Sequence, residues 1–182
     1  HITTPVSEPI TLVHSENTLP VMIHVSANAS LSLIEIIDGH DEMQQSVWID
    51  IGPNAQVVHS RNALNDTPAS WQYLNVRLQD AARYRLNNHA LGCGIRRQDL
   101  HIIMDGQGAE AKLVSAGMVD NKAALDQQIT MEHRQPKGHS KQTIHNIVAN
   151  GGKSTFNGRI HIHEGASGTD AQLSNKNLGM GG

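Results

Sequence analysis

Residues 105–113 read DGQGAEAKL, and the same outline stands three times upstream: SANASLSL at 26–33, GPNAQVVH at 52–59 and LQDAARYRL at 78–86. Each opens on residues that favour a tight chain reversal, rich in Gly, Pro, Asn and Asp. Each then places an alanine, Ala29, Ala55, Ala82 and Ala109, at a near-constant step of about 27 residues. Three of the four continue polar, apolar, polar, apolar; the second breaks after Val57, where Val58 and His59 follow. Alternation of period two is the mark of a strand with one face buried. Its return at a fixed step of this size is the mark of a solenoid, in which each coil hides its apolar face only by stacking on the next.

Stacking predicts ladders. Leu31, Val57, Tyr84 and Ala111 form one inward row, and Leu33, His59, Leu86 and Leu113 the next. His59 is a flaw in the second, with two accounts open: a bulge that re-aims it, or a slip of one position in register. Further alternation appears in SVWIDI (46–51), LHIIM (100–104), QTIHNIV (142–148) and FNGRIHI (156–162), where Phe156, Ile160 and Ile162 read as an inner row. NKAALDQQI (121–129) is the best helical candidate. The pattern reads as an all-β chain, either a parallel β-helix or an antiparallel sandwich or jelly roll. One domain over residues 1–182 is the expected organisation.

The 182 residues are 38% hydrophobic but hold only five aromatics, so the core must be aliphatic. Net charge is −3 with histidine neutral, and Lys and Arg form no stripe along the sequence, which gives nucleic-acid binding no support. No apolar run approaches the ~18 residues of a membrane span, and the start lacks the charged and apolar segments of a secretory signal. Cys93 is the lone cysteine, so no intramolecular disulfide forms, and a reducing, cytoplasmic setting fits. The chain opens on His1 rather than Met and closes on GMGG, and reads as part of a longer protein.

Twelve histidines raise a metal question. His161 and His163 project from one face of a strand and, with a third histidine, form the ligand set of a cupin-type metal enzyme. Glu164 beside them points to the other face unless the strand ends there. The alternative is a solvated pair on an outer sheet face, because Ile160 and Ile162 occupy the opposite parity. His40 lies among Asp38, Asp41 and Glu42 without the spacing of a calcium loop. His133 and His139 flank the turn RQPKG and can meet across it. Cys93 has Arg96 and Arg97 nearby to activate it, yet its glycine and apolar neighbours suit an inert thiol. No phosphate loop, nucleophile elbow or placed carboxylate pair is present. A carbohydrate-active β-helix remains a reading, opposed by the few aromatics available to stack on sugars.

Residues 132–178 carry a more specific signal: EHRQPKGHSKQTIHNIVANGGKSTFNGRIHIHEGASGTDAQLSNKNL. His139, Ser140 and Gln142, the run Phe156 to Ile162, and TDAQ (169–172) followed by NKNL (175–178) resemble the SufB/SufD family of the SUF iron–sulfur cluster assembly system, the SufD branch more than the SufB branch. The Cys-Asp-Ser element of the SufB branch is missing. The resemblance implies a right-handed parallel β-helix core with helical segments on either side, and a scaffold rather than an enzyme. It implies partnership with a SufB-like paralogue and a SufC-like ATPase in a SufBCD complex, iron acquisition, and an iron–sulfur cluster handled by the full assembly. The family's ligand Cys and His lie past the N-x-N-L motif, so no catalytic, cofactor or metal residue is assigned here. Self-association of this piece through an unpaired strand edge is a further expectation.

Overall fold

The computed structural model describes residues 8–16, 19–63, 68–92 and 94–180. Thirteen strands and no helix occur among them. One sheet holds β1 (Ile10–His14), β3 (Ser30–Ile37), β5 (Gln56–Ala63), β7 (Arg83–Ala90), β9 (Glu110–Val119), β11 (His139–Ala149) and β13 (Asp170–Met180), in that spatial order. The other holds β2 (Val21–Val25), β4 (Met43–Ile51), β6 (Ala69–Leu78), β8 (Ile95–Met104), β10 (Ala124–His133) and β12 (Lys153–Ile162). Every pairing is parallel, so the chain alternates between two facing sheets through roughly six coils. Right-handed winding is the rule for such crossovers. The antiparallel sandwich is excluded. So is the helix at 121–129: Asn121 and Lys122 adopt positive φ in a turn, and Ala124 opens β10.

The repeat seen in the sequence is one corner of the coil. Asn28, Asn54, Ala81, Gly108, Lys137 and Gly168 all take left-handed backbone there, with φ of 62°, 58°, 52°, 67°, 59° and 70°. The corners stack by hydrogen bonds: Asn28 N–H donates to Pro53 O (2.9 Å), Asn54 to Asp80 O (2.9 Å), Ala81 to Gln107 O (2.9 Å) and Gly108 to Pro136 O (3.0 Å). The alanine that follows each of the first four is fully buried between them. Gly106 marks how close the corners approach, since a Cβ there would sit 2.0 Å from the carbonyl carbon of Gln79. From β3 onward the odd strands open at Ser30, Gln56, Arg83, Glu110, His139 and Asp170, so the last two steps are longer than the first three. These lengthened coils replace the alanine by Gly138 and Thr169, so the repeat fades from the sequence while the fold continues.

Inward rows run the length of the solenoid. Val47, Leu74, Leu100 and Ile129 form one, Ile49, Val76, Ile102 and Met131 another. Both rows expected from the sequence are in register, Leu31–Val57–Tyr84–Ala111 and Leu33–His59–Leu86–Leu113. Burial of each large aliphatic side chain contributes roughly 1.5–3 kcal/mol. The expected bulge or slip at His59 does not occur: His59 points inward, fully buried, because polar partners meet it there. In β12, Phe156 and Ile160 pack partly against the core, but Ile162 stays 50% exposed on the last coil of its sheet and contributes less than a core isoleucine.

Candidate functional site

Of the histidines flagged by the sequence, His161 and His163 lie on the outer face of the β8–β10–β12 sheet, where His101, not flagged, joins them. Glu132 of β10 is the centre. His101 Nε2 of β8 lies 2.8 Å from its Oε1, His163 Nε2 just past β12 lies 3.3 Å from its Oε2, and Arg134 donates to Oε2 at 3.0 Å. Burial alone would raise the Glu132 pKa; the hydrogen bonds from His101, Arg134 and His163 outweigh it and hold the carboxyl at about 2. His161 stacks on His163 with ring centroids 4.1 Å apart. One carboxylate thus ties three successive coils. Among the described residues no three His, Cys, Asp or Glu side chains converge to hold a metal ion. The cupin reading of His161 and His163 also fails on the fold, since cupins are jelly rolls and these sheets are parallel.

A second polar assembly, missed by the sequence reading, is inside the first coils. Glu35 is fully buried. Arg61 Nε, one coil on, donates to its Oε2 at 2.9 Å, and His14 Nε2 lies 3.1 Å from its Oε1. His59 Nε2 is 3.0 Å from Oε2 but off the line of a hydrogen bond; its Nδ1 meets the Tyr84 hydroxyl at 2.9 Å. Burial pushes Glu35 up; the Arg61 charge, with contacts from His14 and His59, overcomes this and leaves the carboxyl well below its ordinary range. Burial, then the Glu35 charge, push Tyr84 well above its ordinary value, so its hydroxyl stays protonated. A signal for this assembly was in the sequence. Glu35 holds the apolar parity of SLSLIEII (30–37), and Arg61 stands one coil later on the same ladder step.

From there a polar seam continues through the solenoid. Gln45, Gln72, Gln98 and Gln127 are in register on four adjacent strands and fully buried. Gln98 Nε2 donates to Gln72 Oε1 (2.8 Å) and Gln127 Nε2 to Gln98 Oε1 (3.0 Å). Asn88 donates to Gln98 (2.9 Å) and to Ser115 (3.0 Å), and Asn146 donates to Gln127 (3.2 Å). Such amide ladders fix the register of identical steps because a slip leaves every member unpaired.

The remaining candidates are dispersed. His40 and its three acidic neighbours are exposed in the turn between β3 and β4. His133 is buried and bonds Ser140 Oγ at 2.9 Å rather than meeting His139; burial, then the nearby His139, lower its pKa. Cys93 lies outside the described residues. Arg96 donates to Leu91 O (3.0 Å), and Arg97 to Asp99 and Asp126 (both 2.9 Å). Trp48, Trp71 and Tyr73 are exposed on the outer face of β4 and β6, a platform of the kind sugars stack on, but the acids Asp99 and Asp126 beside it are tied to Arg97.

A family model described as SUF system FeS cluster assembly, SufBD core domain, matches residues 13–181. The iron–sulfur cluster assembly protein SufD of Escherichia coli is 25% identical across the whole chain, which covers 43% of that protein. An iron–sulfur cluster assembly SufBD family protein of Synechocystis is 26% identical over 71% of the chain and 29% of its own length. The chloroplastic protein ABCI7 of Arabidopsis thaliana is 24% identical over 87% of the chain and 35% of its own length. The chain spans less than half the length of these relatives.

Proposed function

The chain belongs to the SufBD core-domain family of the SUF system, and on that premise we propose that it is the scaffold of a SufD-like subunit in iron–sulfur cluster assembly. Its partners are a SufB-like paralogue and a SufC-like ATPase, its setting is the cytoplasm, and its contribution to the complex includes iron acquisition. The cluster is cargo of the assembly, and the subunit has no turnover of its own. The clusters around Glu132, Glu35 and Gln98 support this reading, since each bonds across successive coils.

The observation that carries the reading is the match of residues 13–181 to the SufBD core domain on a chain of parallel coils. Leu173 of β13 continues the inner row that runs through Leu86, Leu113 and Gln142. The contact we propose with the SufB-like paralogue is edge to edge at β13, like coil against like coil. The test is co-expression of the full-length protein with its SufB-like paralogue. Wild type should retain the paralogue on an affinity column, and Leu173→Glu should release it while remaining folded. Retention by the variant equal to wild type, or no retention by wild type, would sink the reading and leave the coil end to another segment of the same protein.

A further inference from the structure

We propose that the outer face of the β7–β9–β11 sheet is a docking site for an acidic segment of a partner protein. Its three cations stand on strands before β13, whose Asp170 and Gln172 border the same groove. Arg85, Lys112 and Lys141 are exposed Cα partners on three adjacent strands. Strands in a sheet lie about 4.8 Å apart, so three cations stand in one line over about 10 Å. No ion pair involves any of them among the described residues. Like charges placed directly opposite on neighbouring strands are destabilising. The fold gains nothing from the line, and a single Lys112→Gln exchange would remove the repulsion on both sides.

The surroundings narrow the occupant. The row lines a groove of about 630 Å³. The neighbouring row, Arg83, Glu110 and His139 on these strands with Asp170 of β13 in register, mixes acid and base, and Arg83 already pairs with Glu110 at 3.4 Å. The groove's unpaired Lys and Arg side chains are therefore confined to the one line. The groove's aromatic residue, Tyr84, is buried and inward, so no ring is offered to a nucleobase. Long flexible side chains on an open sheet lack the convergent backbone donors of a site built for a small phosphate. What they match is a run of carboxylates on a polypeptide, steered in by charge and held without deep burial.

The probe is a fluorescein-labelled hexaglutamate peptide, followed by anisotropy at low ionic strength. Exposed pairs are individually weak, so losing three should weaken binding only about tenfold. Arg85→Gln/Lys112→Gln/Lys141→Gln should show that loss. A control with the same change of charge elsewhere, Lys122→Gln/Lys153→Gln/Arg159→Gln, should bind as wild type, and added salt should weaken binding to the wild type. Equal loss in the control, no loss in the triple variant, or displacement of the peptide by equimolar pyrophosphate would each overturn the proposal. Thermal melting gives a second reading. Lys112→Gln should melt higher than wild type at low salt; a lower melting temperature would make the row structural and end the proposal.

Discussion

Arg61→Met is the sharpest test of how the first coils hold together. Arg61 and Glu35 are both fully buried, and the Arg61 Nε bond to Glu35 at 2.9 Å joins two adjacent coils. Removing one partner of a buried pair leaves an uncompensated charge and costs about 3–5 kcal/mol. That is a large part of the roughly 5–15 kcal/mol by which a domain is ordinarily stable. The cost should depend on pH with a definite sign. In the wild type Glu35 is depressed, so its contribution is present above the unfolded carboxyl value of about 4.3 and is lost as pH falls through the folded value. In Arg61→Met burial acts without the guanidinium and raises the folded value. The variant's Glu35 contribution is then full in acid and lost as pH rises, so its deficit against wild type should shrink as pH falls from neutrality. Urea unfolding followed by far-UV circular dichroism measures this in Arg61→Met, Glu35→Gln and the double variant. The double variant, with no buried charge in the pair, should recover at least about 2 kcal/mol relative to Arg61→Met. Two results would count against this account: a deficit below about 1 kcal/mol in Arg61→Met, or a double variant no more stable than the single.

The other expectations concern the corners, the seam and the outer surface. Ala81 holds φ of 52° at a corner where Asn28 and Asn54 stand in neighbouring coils; Ala81→Asn should raise stability by about 0.5–1 kcal/mol in urea unfolding, since asparagine tolerates the left-handed region better. Gln98→Leu strips partners from Gln72, Gln127 and Asn88 and should cost about 2–3 kcal/mol, whereas Gln45→Leu, at an amide without a hydrogen bond among the described residues, should be neutral or stabilising; equal losses in the two denaturation curves would deny the seam its role. Glu132→Gln should be less stable than wild type at neutral pH, and the difference should close as pH falls from about 4.3 towards the folded value of about 2; a difference unchanged across that window in acid titration of the melting temperature would contradict the hydrogen-bonded assignment. Ile160→Asp should lower the melting temperature far more than His161→Ala, because only the isoleucine packs on the core; comparable losses would reverse the inside and outside of β12.

The strands and their repeat were legible from the residues alone. A tight-turn residue, an alanine and alternating polarity, returning at a near-constant step, favour stacking like on like, because each alternation has one apolar face to cover; the antiparallel sandwich stayed open until the parallel pairing excluded it. The ladders follow for the same reason. The outward placement of His161 and His163 was readable too, from the parity of Ile160 and Ile162 along the strand. What stayed undecided were the residues whose chemistry depends on a neighbour a coil away. His59 looked like a fault because Tyr84 and Glu35, which meet it, stand on the neighbouring strands to either side and touch it only across the sheet. Glu132 joins His101 and His163 over 31 residues each way. Arg85, Lys112 and Lys141 are ordinary singly and become a line only when register sets them side by side. Parity along one strand is a local property and survives in sequence; which charge faces which is fixed by the stacking distance between coils, and that exists only once the chain is wound.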